Sequence, residues 1–228
     1  MTEPIKAKEP FRFSTRLSLS ELTGLKAANL NQLLAIVRQA PESCIYHHTH
    51  RFLQQHQDLS PEPPNDFAYW VTEVLGEDDL GEQLASIDAI QFSTIQDIKN
   101  EIIETIENYL KAHPLAEKRF VKQGAEFYFI KSKSFIIPTK YVATDLKEFA
   151  EILKKITIDA IYFHIFEARL RLGKPANDFS HWIEKSTDDS DLAKKISRLD
   201  PYTYTMEELR KTLIRMIEKK IGKDNAKN

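Results

Sequence analysis

The chain has 228 residues, of which 42% are hydrophobic and 29% charged, a balance typical of a globular protein with a buried core. It contains one cysteine, Cys44, which excludes intrachain disulfides and thiolate zinc clusters. The net charge of −2 and the isoelectric point of 6.4 argue against nucleic-acid binding, and no apolar run approaches the ~20 residues that span a bilayer.

The first half of the chain begins with a segment of strand character and continues as helices. Phe11 and Phe13 alternate with polar residues, as in a short strand with one buried face. Apolar residues then recur at the spacing of one helix face. Three such stripes are Leu30, Leu33, Leu34 and Val37; Phe67, Trp70, Val71, Val74 and Leu75; and Ile95, Ile98, Ile102, Ile106 and Tyr109.

Four of the seven histidines fall within ten residues, in the run HHTHRFLQQH (47–56). On a helix, His47 and His50 are neighbours at i, i+3, a spacing that can hold a metal ion, and Asp66 could add a carboxylate ligand. His48 lies instead on an apolar stripe with Ile45, which favours a buried imidazole with hydrogen-bond partners. We therefore expect His48 to be buried and His47 and His50 to be more exposed.

The phrase NDFAYW (65–70) has the composition of a helix start. Asn65 is a preferred N-cap residue, and the carboxylate of Asp66 suits the positive end of the helix dipole. Trp70 belongs to the buried stripe that follows, so we expect it in the core. Nearly the same phrase returns as NDFSHW (177–182) in the second half of the chain.

The second half of the chain repeats the first in order, with length changes confined to loops. The matches include Phe11 with Phe127, Phe13 with Phe129, Thr23 with Thr139, His48 with His164, Asp66 with Asp178, and Trp70 with Trp182. The pattern predicts a mainly α structure of two tandem pseudo-symmetric helical repeats, residues 11–110 and 124–221. Each repeat is expected to open with a short β-strand, and the two are expected to pack as one globular unit.

The second repeat lacks the other two histidines and carries its own charged segment. Phe163 and Phe166 stand where His47 and His50 would be. Glu167 and Arg169 then interrupt an apolar helix in the run FEARLRLG (166–173). A partly buried Arg169 would need a carboxylate such as Asp178 or Asp200, whereas a solvated helix face would need none.

These motifs resemble a family of uncharacterised prokaryotic proteins that is catalogued as a domain of unknown function. The resemblance is carried by the runs FEARLRLG and NDFxxW, within IYFHIFEARLRLGKPANDFSHW, and by LDPYTYTMEELR, YHHTHRFL and PPNDFAYW. It covers the chain from about residue 11 to residue 220. The resemblance implies a shared fold, and it implies no activity, cofactor or catalytic residue.

We predict a non-enzymatic cytoplasmic binding or regulatory protein, an adaptor that acts through the cleft between its repeats. Its partner would be another protein or a second copy, with no membrane, nucleic acid or cofactor involved. The charged N-terminus, which has no apolar segment behind it and is therefore not a signal peptide, supports the cytoplasmic location. Candidate binding residues are His47, His48, His50, Asp66, His164, Glu167, Arg169 and Asp178.

The alternative function is a metal-dependent or acid–base enzyme centred on His47, His50 and Asp66. The geometry of these three side chains distinguishes the two functions. Their convergence within ligand distance would favour the enzyme, and scattered orientations would favour the binding protein.

Overall fold

The computed structural model of the chain describes residues 6–51, 65–168, 176–199 and 205–227. The chain divides into two compact units. We call Ser18–Ser134 the first unit, and Met1–Leu17 together with Phe135–Asn228 the second unit. The helices of each predicted repeat therefore lie in one unit, whereas the strands are divided between the two.

Two long strands form a two-stranded antiparallel sheet, β1 (Phe11–Ala27) and β2 (Phe127–Ala143). In the first unit the Thr23 hydroxyl donates to the Phe129 carbonyl at 2.6 Å, and in the second unit Thr139 donates to the Phe13 carbonyl at 2.7 Å. These bonds set the register, in which Phe13 faces Thr139 and Thr23 faces Phe129.

The prediction of a mainly α fold with short opening strands is wrong, since each strand has 17 residues and the fold is mixed α and β. Only the beginning of each strand is strongly apolar and buried. Further along, large side chains such as Leu19 and Leu22 are exposed, so no buried stripe marks the continuation. The alternation of leucine and serine in residues 17–20 was the available sign of a longer strand.

The helices of the first unit follow β1 and continue to the start of β2. Their bounds are α1 Leu30–Gln39, α2 Glu42–Tyr46 with a π-helical turn at His47–Arg51, α3 Asp66–Tyr69 with a π-helical turn at Trp70–Leu75, α4 Asp78–Ala85 and α5 Ile95–Ala112. Short 3₁₀ turns lie at Ala89–Gln91 and Pro114–Lys118.

The described helices of the second unit follow β2 in a similar order. Their bounds are α6 Leu146–Leu153, α7 Ile158–Tyr162 with a π-helical turn at Phe163–Glu167, α8 Asp178–Thr187, α9 Ser190–Ser197 and α10 Met206–Lys227. Within the described residues, no helix combines the length and the apolar character that crossing a membrane requires.

The two NDF phrases start helices, as predicted. The Asn65 side chain accepts from the Ala68 amide at the start of α3, and Asn177 accepts from the Ser180 amide at the start of α8, both at 2.8 Å. Each asparagine also donates its side-chain NH₂ to a backbone carbonyl in the next helix, that of Leu84 or of Ile196. Both asparagines are buried, so each one joins two helices inside its unit.

The beginning of each strand inserts aromatic rings beneath the helices of a unit. In the second unit, Phe11 of β1 packs edge-on against Phe179 and Trp182, with ring centroids 5.4 and 5.6 Å away. In the first unit, Phe127 of β2 stacks on Phe67 at 5.1 Å, and Trp70 packs against Phe127.

Both tryptophans are buried, which confirms the prediction that they belong to the core. Each indole N–H also donates to a backbone carbonyl just before a strand. The acceptors are Ala125 for Trp70, at 2.9 Å, and Glu9 for Trp182, at 2.7 Å. The tryptophans therefore fix the entry of each strand into its unit.

Candidate functional site

His48 connects a helix of the first unit to β2. The π-helical turn that carries it lets the ring reach two partners at once. Its Nδ1 lies 2.6 Å from a carboxylate oxygen of Asp66, and its Nε2 accepts the backbone N–H of Ile130 at 3.0 Å. The rings of Phe67 and Phe127 flank the imidazole, which is buried as expected.

His164 makes the corresponding contacts in the second unit. Its Nδ1 lies 2.7 Å from a carboxylate oxygen of Asp178, and its Nε2 accepts the backbone N–H of Ser14, in β1, at 2.9 Å. It also lies on a π-helical turn and is buried, with Phe11 at 5.0 Å. Each buried histidine is therefore paired with the aspartate of its own unit's NDF phrase.

These hydrogen bonds determine where the proton of each imidazole lies. A backbone N–H can only donate, so the Nε2 of His48 must present its lone pair to Ile130. The proton then lies on Nδ1, which donates it to Asp66. In a catalytic histidine–aspartate pair the second ring nitrogen takes a proton from the reacting group. Here that nitrogen is occupied by the strand, so the pair holds structure in place.

His47 points to a different partner and is buried, which contradicts the expectation that it would be exposed. Its Nδ1 lies 2.9 Å from the hydroxyl of Ser132, in β2. Burial lowers the pKa of His47 from 6.5 to about 4, and His48 and Arg51 act in the same direction, opposed by Asp66. The imidazole is therefore neutral near pH 7.

His50 is buried as well, so the expectation of its exposure is also wrong. Its ring stacks on Tyr46 with centroids 5.5 Å apart and an interplanar angle of 11°. The Thr49 hydroxyl donates to the Ile45 carbonyl, and the same oxygen lies 3.0 Å from Nδ1 of His50. Both errors have one cause, because residues 44–50 are all buried, and burial is not confined to the His48 stripe.

The three candidate metal ligands do not converge. His47 contacts Ser132, Asp66 contacts His48, and His50 lies against Tyr46. In the part of the chain that the structure describes, no three His, Cys, Asp or Glu side chains are grouped so that they could hold a metal ion.

The charged candidates of the second unit form a separate contact. Glu167 is buried and forms an ion pair with Arg16 of β1. Arg169, like Asp200, lies outside the described residues. Sequence reasoning missed Arg16, and the alternating pattern that continues from Phe13 was the signal that could have placed it on the strand.

Two surface features have no counterpart among the predicted site residues. A cavity of about 480 Å³ in the first unit is lined by Gln83, Ser86, Asp88, Gln91, Glu101 and Thr105, with Ile87 and Phe92. Large apolar side chains are exposed along the strands, among them Leu17, Leu19, Leu22, Leu25, Phe135, Ile136 and Ile137.

Comparisons with known proteins give a family and a related structure. The model of a family described as "Family of unknown function (DUF5752)" matches residues 8–218. The structure of OrfY from Thermoproteus tenax is similar, with 31% sequence identity and a TM-score of 0.78. The match covers 94% of this chain and 96% of OrfY. Comparison with curated proteins gives no significant match.

Proposed function

The chain belongs to the DUF5752 family of unknown function, and we propose that it acts by binding another protein and not by catalysis. The buried histidines, which are the best candidates for acid–base chemistry, are engaged in holding the fold. His48 and His164 use both ring nitrogens in contacts with an aspartate and a strand amide. His47 is buried against Ser132.

The observation that carries the proposal is an exposed apolar patch on the second unit, formed by Leu17, Phe135 and Ile137. Since Phe13 faces Thr139, Leu17 faces Phe135 four residues further along, and Ile137 lies on the same face. All three side chains are about half exposed. Large apolar side chains clustered on a surface mark sites of protein association, because covering them removes apolar area from water.

The enzyme alternative has less support. A metal centre would need ligands that converge, and His47, His50 and Asp66 have separate partners. A general base would need an accessible nitrogen, and the candidate histidines are buried. Stoichiometric metal bound through His47 and His50, and lost on their mutation, would restore that alternative.

We also infer that the chain arose by internal duplication, since the two units share the same contacts as well as similar sequence motifs. Four contacts occur once in each unit. They are the histidine–aspartate pair, the hydrogen bond from a strand amide to that histidine, the asparagine side chain that caps one helix and bonds to the next, and the hydrogen bond from the tryptophan indole to a backbone carbonyl. Independent origin of these contacts in the same order would require repeated coincidence. We infer a cytoplasmic location, which the single cysteine supports.

Site-specific photo-crosslinking tests the proposed function. A photoreactive phenylalanine analogue replaces Phe135 in the patch, and the matched control replaces Leu115, which is also exposed but lies in the first unit. We expect the same identified protein to be crosslinked from position 135 in cell extract, and not from position 115. The signal should disappear when Leu17→Ser and Ile137→Ser are added. Equal labelling from both positions, or labelling that survives the two serines, would contradict the proposal.

A further inference from the structure

The direction of the backbone amides shows which edge of the sheet is left open by the described residues. The Ile130 amide of β2 donates to His48, which lies outside the sheet, so it points away from β1. In an antiparallel pair, residues that face each other point their amides either both inward or both outward. Since Thr23 faces Phe129, Leu22 faces Ile130, and the Leu22 amide also points outward.

Along β1, the backbone amide of every second residue points away from β2. The amides of Ser20 and Ser18 therefore also point outward, and we call Ser18–Leu22 the β1 edge. The side chain of Leu22 is 75% exposed, and Ser20 is exposed as well. The β1 edge ends near Gly24, whose φ of 77° departs from the extended conformation of a strand.

The opposite edge, on β2, is closed at two points. At one point the outward amide of Ile130 is already bonded to His48. At the other, Pro138 faces Ser14, whose amide points outward to His164, so Pro138 occupies an outward position without an N–H. Proline at such a position prevents a further strand from pairing there.

We propose that the open β1 edge pairs antiparallel with the β1 edge of a second copy, forming a two-fold dimer with a four-stranded sheet. The inference rests on the proposed binding function and identifies a second copy of the chain as one partner. Around a two-fold axis, the outward N–H groups of each β1 edge can donate to the outward C=O groups of the other copy's edge. Both sets of backbone groups are then hydrogen-bonded. The bond at Ile130 and the proline at position 138 bound a shorter stretch on β2, so we place the pairing on β1, where a two-fold pairing closes at two copies.

The side chains of the β1 edge are compatible with such self-pairing. With the two-fold axis at Ser20, Leu22 faces Ser18 of the second copy and Leu19 faces Glu21. Glu21 is the only charged residue of the edge, and it already pairs with Lys131 of its own β2 at 2.9 Å. No like charges therefore face each other across the axis, and the exposed Leu19 and Leu22 lose contact with water.

Substitutions at Ser20 test the dimer directly, with mass measured in solution by light scattering coupled to gel filtration. Ser20→Pro removes an outward N–H and leaves the bonds between β1 and β2 in place, whereas Ser20→Ala keeps the N–H. We expect the wild type and Ser20→Ala to be dimers and Ser20→Pro to be a monomer. Ser20→Lys, which keeps every backbone N–H and places two cations directly opposite each other at the axis, should also give a monomer.

The outcomes separate this inference from the proposed function. A wild-type monomer at high concentration, or a dimer that persists in both Ser20→Pro and Ser20→Lys, would overturn the inferred dimer. Crosslinking of another protein from position 135 would leave the proposed function standing in that case. Circular dichroism melts of each variant confirm that a monomer is a folded one.

Discussion

At the scale of single residues, the same position serves different roles in the two units. His48 and His164 make equivalent contacts, whereas the neighbouring position holds His47 in one unit and Phe163 in the other. Both side chains are buried. A phenylalanine at this position is therefore compatible with the fold, and it offers a natural replacement for a titratable group.

His47→Phe should make stability less sensitive to acid. The unfolded chain binds a proton at this histidine near pH 6.5, and the folded chain binds it only near pH 4. Titration of His47 therefore does not reduce the free energy of unfolding above pH 6.5. As the pH falls from 6.5 through 4, the unfolded chain takes up the proton first, and the folded chain loses stability. The loss is on the order of 3 kcal/mol at low pH.

Urea unfolding at several pH values between 7 and 4 measures this effect. The wild type should lose more stability across the interval than His47→Phe, while His181→Phe, which alters a partly buried histidine of α8, serves as the control. Parallel pH profiles for the wild type and His47→Phe would show that the burial of His47 has no energetic consequence.

One hydrogen-bond partner of each buried histidine could be predicted from the sequence, and the other could not. Asp66 opens the helix that follows His48 along the chain, so a local contact could be predicted. The Ile130 amide is 82 residues from His48, and backbone amides carry no sequence signal of their own. The ion pair of Arg16 with Glu167 was hidden for the same reason, since it joins a strand and a helix that are distant in sequence.

At the scale of elements, helices were easier to predict than strands. The stripes at Leu30–Val37 and Ile95–Tyr109 lie within α1 and α5, because a helix with one buried face repeats its apolar residues at a fixed period. The strands were underestimated, because large buried side chains occur only at the beginnings of β1 and β2. The leucine–serine alternation of residues 17–20 is short, and Leu22 breaks it by lying on the opposite face from Leu17 and Leu19.

The capping asparagines give a prediction at this scale. Asn177→Ala removes both the cap of α8 and the bond to the Ile196 carbonyl, and it leaves buried polar groups without partners. We expect a loss of about 2–3 kcal/mol, the sum of a cap and an unsatisfied buried group. Asn177→Ser keeps an oxygen for the cap but cannot reach Ile196, so its loss should be smaller.

Thermal and urea melts of both variants rank the two contributions. Asn65→Ala and Asn65→Ser, in the first unit, should follow the same order, because Asn65 caps α3 and bonds to the Leu84 carbonyl in the same way. An alanine variant that is no less stable than its serine counterpart would show that the cap oxygen contributes little.

At the scale of the whole molecule, each unit is completed by a strand segment that the other half of the sequence supplies. The helices of the second unit receive Phe11 and Phe13 from β1, and His164 holds the Ser14 amide. The helices of the first unit receive Phe127 and Phe129 from β2. Sequence matching aligned these segments but did not show which helices they would pack against.

Separate halves of the chain should therefore need each other to fold. A fragment of residues 1–122 lacks the strand aromatics of its own helices, and a fragment of residues 123–228 lacks Phe11 and Phe13. We expect each fragment alone to unfold without a cooperative transition, and the mixture to recover one. A monomeric fragment that melts cooperatively by itself would show that the shared strands are not required.

The central claim is that the histidine–aspartate pairs hold strands and are not poised for catalysis. A catalytic histidine–aspartate pair would have the same protonated Nδ1 but a free Nε2, so the contact of Nε2 with a strand amide decides whether these pairs hold strands. Couplings between ¹⁵N nuclei across the N–H···N hydrogen bonds detect that contact. Long-range ¹H–¹⁵N NMR spectra at pH 7 identify which ring nitrogen carries the proton, with assignments from His48→Gln and His164→Gln. We expect His48 and His164 both to be protonated on Nδ1, and we expect each Nε2 to be coupled to the amide nitrogen of Ile130 or Ser14. A proton on Nε2 of either residue, or a protonated Nδ1 without the coupling from Nε2 to the strand amide, would show that the histidine does not hold the strand.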